Sequence, residues 1–253
     1  MTDSTIPAPH TGDLDPTRRS QVRRHRDRAS YTLDHVHAIL DEGFICHVAC
    51  HDEGTTWIIP TAYGRRREEL LLHGAAANHL FAAVAAGTQV AVTVTLVDGM
   101  VLARSTFSHS VNYRSVVIFG QATAITDPDA KAAALEAIVE HMLPGRAGEA
   151  RPPTVTEVRS TTVLSLPITE ASAKIRTGPP LDGDGPDGEL AVWAGTLPLR
   201  TVAGPPVDAP DLQAGGAARG PAESWATQPL RWDTADPDRP DPPASVDGPG
   251  RGS

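Results

Sequence analysis

"TQVAVTVTLVDGMVLARSTF" (88–107) alternates cleanly: Val90, Val92, Val94 and Leu96 fall on one side, Ala91, Thr93 and Thr95 on the other. A period of two places successive side chains on opposite faces of an extended strand, so this stretch predicts a half-buried strand. Asp98-Gly99 is a strong turn signal and predicts a hairpin there. Working upstream, "FICHVACHDEGTTWIIPTAYG" (44–64) predicts two short strands around an Asp-Glu-Gly-Thr turn. Phe44, Cys46, Val48 and Cys50 share one face of the first strand, with Ile45, His47, Ala49 and His51 on the other. Downstream, "NYRSVVIFGQATAIT" (112–126) predicts another long strand, with Gly120 as a bulge or a close approach. "RRREELLLHG" (65–74) predicts a turn and a strand, "TTVLSLPITEASAKIRTG" (161–178) a late strand, and "LAVWAGTLPL" (190–199) a last ordered piece.

Helices are short and few. "YTLDHVHAILDEG" (31–43) carries Leu33, Val36, Ile39 and Leu40 at helical spacing, with Thr32 as N-cap and Gly43 as stop. "NHLFAAVAAG" (78–87) predicts a second helix closed by Gly87. Asp127-Pro128 opens a third, whose predicted apolar stripe is Leu135, Ile138, Val139 and Met142. The sum is a mainly β protein with short helices and six or seven largely antiparallel strands, a barrel or sandwich rather than alternating βαβ units.

Composition sets the limits of the folded body. The 253 residues include 23 Pro and 22 Gly, and from about Pro179 onward branched apolar residues become scarce. Such segments bury too little apolar surface to offset their ordering entropy. The expected organisation is a disordered arm over 1–20, one domain over 21–200, and a disordered Pro/Gly/Asp-rich tail over 201–253. A net charge of −9 argues against a general nucleic-acid binder. The basic run "RRSQVRRHRDR" (18–28) is the local exception, read as a solvated arm or as a phosphate-binding segment. No apolar stretch approaches the roughly 18–20 residues that span a bilayer. No signal-peptide core opens the sequence, and only two Cys occur, so a reducing cytoplasm is expected.

Few residues carry chemistry of their own. "CHVACH" (46–51) lacks zinc-ligand spacing and a second ligand pair, so no metal site is expected. Cys46 and Cys50 read as small core residues, since nothing adjacent would lower a thiol pKa. Nucleophile elbow, Walker loop and Gly-x-Gly-x-x-Gly turn are all missing from the sequence. Arg104-Ser105, His109, Arg114-Ser115, Lys174 and Arg176 remain as cations and hydroxyls near strand ends, suited to an anionic ligand.

The ordered set "HVACHDEGTTWIIPTAY", "LLLHG", "VTVTLVDGMVLARSTFSHSVNYRSVVIFGQATAITD", "LPGR", "SAKIRTGPP" and "VWAGTLPL" resembles the flavin-nucleotide-binding branch of the pyridoxamine 5′-phosphate oxidase-like split barrels. Nitroimidazole-resistance proteins are relatives of that branch. The resemblance implies a split β-barrel of about six antiparallel strands and a homodimer with FMN at the subunit interface. It implies an oxidoreductase acting on a small organic substrate by flavin-mediated electron or hydride transfer, with no assigned catalytic residue. The implied flavin contacts are Ile59, Pro60 and Thr61, then His73, Gly74, Asn78 and His79, then Arg114 and Ser115. Lys174, Arg176 and Trp193 are implied on the late strands.

The phosphate corner departs from the family pattern. Members commonly read "HGSxxSR", whereas this chain has Ala75 for the first Ser, Asn78 for the second and His79 for the Arg. Each lost contact costs roughly 1–3 kcal/mol, so two or more weaken binding by powers of ten. Two alternatives stay open at this point. Some related split barrels hold haem, and His51, His73, His79 and His109 fall near the implied groove, His73 or His79 serving as axial ligand. The other alternative is a non-catalytic dimer that binds flavin or another ligand.

Overall fold

The computed structural model describes residues 12–212; the remainder of the expected arm and tail, 1–11 and 213–253, lies outside the described residues. Two compact units divide the described chain, residues 12–95 with 115–174 and residues 96–114 with 175–212. Strands are β1 Ala29–Ser30, β2 Ile45–Asp52, β3 Thr55–Arg66, β4 Glu69–Ala75, β5 Val90–Leu102, β6 Ser110–Gly120, β7 Thr123–Ala124, β8 Thr161–Pro167, β9 Ala171–Arg176 and β10 Gly195–Pro198. Helices are α1 Leu33–Glu42, α2 His79–Ala85, α3 Pro128–Met142 and α4 Val155–Ser160. The protein is mainly β, with ten strands rather than six or seven.

In the first unit α1 and the β2–β3 hairpin form as the sequence predicts. The Thr32 side chain accepts a hydrogen bond from the His35 N–H, and Leu33, Val36, Ile39 and Leu40 are all buried. The hairpin turn is Glu53-Gly54, both at positive φ (47° and 77°), the geometry a two-residue turn between twisted strands requires. Cys46, Val48 and Cys50 point into the core, and Ile45, His47 and His51 point out. Burial pushes the Cys46 thiol up to about 12 and raises that of Cys50 as well.

The sheet runs in the order β1-β9-β6-β5-β2-β3-β4-β8-β7. Residues 161–178, expected as one strand, are two. β8 pairs with β4 and β7, while β9 pairs with β1 near the other end of the order. Only residues 168–170 join them. The Ile168 N–H donates to the Glu68 carbonyl at 2.8 Å, and the Phe119 N–H donates to the Glu170 carbonyl at 2.8 Å. A three-residue link cannot cross the width of a flat sheet, because an extended chain advances only about 3.3–3.6 Å per residue. The sheet is therefore rolled but not closed, a split barrel.

Helix α3 lies on β3 along a stripe that shares Leu135 and Ile138 with the predicted one but turns Val139 and Met142 outward. Its buried residues are Ala134, Ile138 and His141, while Val139 and Met142 are more than one-third exposed. Close approach causes the rotation: a Cβ on Gly64 would come within 3.0 Å of the Ile138 Cα. His141 then reaches across the interface. Its Nε2 donates to the Gly43 carbonyl at 2.9 Å, and its Nδ1 accepts from the Arg65 N–H at 3.3 Å. Beside it the buried Tyr63 hydroxyl donates to the Leu40 carbonyl at 2.7 Å. Gly120, expected inside a strand, ends β6, where an added Cβ would meet Leu166 at 3.0 Å.

Part of the segment expected as an arm is tied to this unit. The Leu14 N–H donates to the Tyr31 carbonyl, the Val22 N–H donates to the Tyr31 hydroxyl, and Ser20 is buried. The Arg19 guanidinium grips both oxygens of Glu170 and lies 5.2 Å over the Phe119 ring.

The second unit overturns the predicted turn at Asp98-Gly99. β5 passes straight through it and β10 pairs alongside, in the register Leu197↔Met100 and Pro198↔Gly99. Gly99 is needed for that approach, since its Cβ would stand 3.0 Å from the Leu197 carbonyl oxygen. Asp98 is needed for charge, because the Arg114 Nε and Nη2 donate to its two oxygens at 2.9 and 2.7 Å. The dipeptide therefore serves packing and pairing.

Two outcomes follow from this architecture. Gly64→Ala is expected to destabilise the protein by about 1–3 kcal/mol in urea unfolding, because α3 must shift to admit the methyl group. The hydrogen bonds from Arg19 hold the Glu170 carboxyl below its ordinary value, more strongly than burial raises it. A depressed carboxyl stabilises the folded state above its unfolded pKa and loses that contribution as pH falls through the folded one. Proteolysis at 12–22 is thus expected to accelerate as pH drops below about 4.3, and Glu170→Gln should cleave quickly at neutral pH already.

Candidate cofactor site

The corner between β4 and α2 carries four of the expected contact residues. Gly74 is fixed by packing: a Cβ there would lie 2.6 Å from the buried Phe81 ring. The Asn78 side-chain oxygen caps α2 by accepting the Phe81 N–H at 3.4 Å. The Ala76 N–H donates to the Ser160 carbonyl and the Asn78 N–H to the Ala75 carbonyl, both at 2.9 Å. Several corner donors are thus engaged within the protein, and Ala75, Ala76 and Ala77 offer no hydroxyls. The side chains at 75–77 thus supply no hydroxyl donor to an anion.

The two histidines here sit in different surroundings. His79 Nε2 lies 3.2 Å from Asp52 Oδ2, and its ring stands 4.8 Å from that of Trp57. Thr88 donates to the other Asp52 oxygen at 3.4 Å. His73 is the opposite case. Its Nδ1 is buried with no hydrogen-bond partner among the described residues, and burial lowers its pKa. A neutral imidazole with an unpaired, desolvated ring nitrogen suits coordination of a metal centre better than salt-bridging. Among the described residues no three His, Cys, Asp or Glu side chains are grouped to hold a metal ion by themselves.

The β3 positions divide between two faces. Ile59 pairs with Val48 and Thr61 with Cys46, on the inner side, whereas Pro60 pairs with the exposed His47 on the other. Thr61 also donates to the His73 carbonyl at 3.4 Å, which joins the β3 and β4 positions. Ser115 and Lys174 meet across β6 and β9, the serine hydroxyl donating to the lysine carbonyl at 3.4 Å. In the same unit, His51 sits exposed beside Thr56.

Arg114, Arg176 and Trp193 belong to the second unit. Arg114 is 4% exposed and held by Asp98. Arg176 is equally buried, bonded to the Asn112 side chain and to the Gly178 and Pro179 carbonyls. Trp193 is exposed and its ring lies over Gly195. His109 is exposed as well, 2.9 Å from the Ser105 carbonyl. Asp182 holds Arg104, accepting from its backbone N–H at 2.7 Å and from that of Ser105 at 3.0 Å. Three cations read as suited to an anionic ligand, Arg104, Arg114 and Arg176, are therefore each engaged by groups of the protein. Sequence reading missed Asp52, Trp57, Asp98 and Asp182 as their neighbours' partners; Asp52 and Asp98 carried signals, and both read as turn residues.

Asp98→Ala is expected to cost about 3 kcal/mol in urea unfolding, because it removes the carboxylate that faces a buried guanidinium. In the double variant Asp98→Leu with Arg114→Met the loss should be smaller, since both charges are removed together.

The family model described as pyridoxamine 5′-phosphate oxidase matches residues 32–175, more than half of the chain. Among curated proteins none matches. Two solved structures are similar over most of their length. The flavocytochrome Anf3 from Azotobacter vinelandii is 36% identical, with a TM-score of 0.78, covering 84% of this chain and 98% of its own. The FAD- and haem-binding protein from Mycobacterium smegmatis is 35% identical, with a TM-score of 0.74, covering 78% of this chain and 97% of its own. Family model, identity and rolled sheet agree: the chain belongs to the pyridoxamine 5′-phosphate oxidase family.

Proposed function

We propose that this protein is a flavin-binding oxidoreductase acting on a small organic substrate, with FMN or its adenylylated form FAD as cofactor. The observation that carries the reading is the 36% identity over 84% of the chain to a protein named a flavocytochrome. The Mycobacterium smegmatis relative, named for FAD and haem, points the same way. When bound, the flavin supplies the hydride or single-electron transfer, and the protein supplies orientation and electrostatics. Ile59 and Thr61 on β3, with Ser115 and Lys174 on β6 and β9, are the expected contacts best suited to it in the first unit. Gly74 and Asn78 support them by holding α2 in place.

We also propose a homodimer. On the outer face of β2 and β3, Ile45 is 43% and Ile58 63% exposed, beside exposed Pro60. Contiguous apolar surface of this kind is what a second subunit would cover. A cytoplasmic setting completes the proposal and suits two free cysteines.

A haem group is a second reading, favoured by the unpartnered Nδ1 of His73. His73 suits an axial ligand; His79, already engaged by Asp52, suits it less.

The absorption spectrum of the purified protein separates these readings. Oxidised-flavin bands that bleach under reductant and recover with an organic acceptor are the expected result. Flavin bands without turnover would reduce the protein to a binding dimer. A colourless protein that takes up neither FMN nor FAD would overturn the flavin reading. If a Soret band is present, His73→Ala should abolish or shift it and His79→Ala should leave it in place.

A further inference from the structure

The face proposed for the second subunit has a composition that bears on when it can be covered. The register of β2 with its neighbours sets His47 opposite Pro60 on β3 and Thr93 on β5, and Ala49 opposite Ile58. Ile45, His47 and Ile58 are all exposed. Segments 45–51, 55–62 and 88–97 contain no Asp, Glu, Lys or Arg. A twofold dimer presses one patch against its own copy, so a fixed charge on that patch would meet the same charge across the axis. A face without fixed charge is therefore fitted to self-association rather than to a charged partner.

His47 and His51 are the groups on this face that can acquire a charge. His51 stands at the hairpin end, its Nδ1 3.1 Å from the Thr56 hydroxyl, with Glu53 in the adjoining turn. His47 lies in the middle of the apolar stretch and has no hydrogen bond or ion pair among the described residues. Across from it β3 and β5 present Pro60 and Thr93, neither of them titratable. Helix α3 reaches the same face of β3 at Gly64. The titratable group on its buried side, His141, has both ring nitrogens engaged by backbone groups. Helix α2 meets β2 at Asp52, which pairs with His79.

An imidazolium taken from water into an apolar contact loses hydration that no partner on this face replaces, whereas a neutral imidazole loses far less. We propose that His47 is the proton-sensitive element of a self-association face: two copies of the chain join through it while His47 is neutral and separate when it is protonated. The inference rests on the proposed homodimer. Closing the interface expels a proton from each His47 that carried one. The dissociation constant therefore rises as pH falls through the ordinary histidine range, about 6.5. Both subunits contribute a His47, which allows a rise of up to about 100-fold per pH unit below that range.

The test is sedimentation velocity over a concentration series of the full chain, at about pH 8 and about pH 5.5. The expected result is a dimer at the higher pH whose dissociation constant rises by about tenfold or more at the lower, with an unchanged circular dichroism spectrum. His47→Gln should dimerise at both pH values with little difference between them, while His51→Gln should keep most of the parent's pH dependence. His47→Lys places a permanent charge at an exposed position and should be monomeric even at the higher pH, where acid plays no part. Three results overturn the proposal and leave the homodimer standing: a dissociation constant indifferent to pH, an unaltered pH dependence in His47→Gln, or a His47→Lys variant that dimerises like the parent. A parent chain that stays monomeric at the higher pH, or a dimer untouched by Ile58→Asp, refutes this face as the dimer contact and the proposal with it.

Discussion

Three residues, 168–170, impose the constraint on which the first unit depends. They connect strands lying far apart in the sheet order, so the sheet must curl until those strands come within reach of one short link. The hydrogen bonds from the Ile168 N–H to Glu68 and from the Phe119 N–H to Glu170 fix that curl at two points. Ile168 itself is buried, so the link is also part of the core. Rolling the sheet creates an inner face for Cys46, Val48, Val92 and Leu72, and an outer face on which α3 can lie. Curling thus decides which alternate residues of each strand meet solvent.

Helix α3 on that outer face shows how polar groups substitute for apolar bulk. Gly64 and Ala134 bring the helix close, leaving no room for a larger residue beneath it. His141 fills the remaining position because both of its ring nitrogens find backbone partners there. A buried imidazole satisfied on both sides is stable in its neutral form and specifies one placement of the helix. The same logic recurs in the second unit, where Asp98 and Asn112 compensate buried arginines.

Much of the fold was legible in the sequence. Alternation in 45–51 and 88–94, the Thr32 cap and the Asp127-Pro128 helix start are local signals, and the structure follows them, although Phe44, read with the inward face of β2, is exposed. What failed was decided by distant partners. Asp98-Gly99 looked like a turn until β10 and Arg114 supplied reasons for each residue. The stretch 161–178 looked like one strand because nothing local announces that its halves pair with different neighbours. The predicted stripe of α3 gave Val139 and Met142 undue weight, because hydrophobicity does not reveal a glycine on the opposing strand. At the candidate site the motif made the strand–helix corner at 73–79 legible as backbone, with β4 ending and α2 beginning there. Whether Gly74 serves a ligand or Phe81, and whether a histidine is engaged or unpaired, depends on residues far away in the chain.

The inward-facing cysteines have a further consequence for a protein read as a redox catalyst. Thiols are attacked by peroxide and by disulfides as thiolates, and burial keeps both Cys46 and Cys50 protonated. On their shared strand face, with Val48 between them, Cys46 is fully buried and Cys50 nearly so. The exposed thioethers of Met100 and Met142, not the two thiols, are therefore the sulfur atoms of the described chain that an oxidant reaches first.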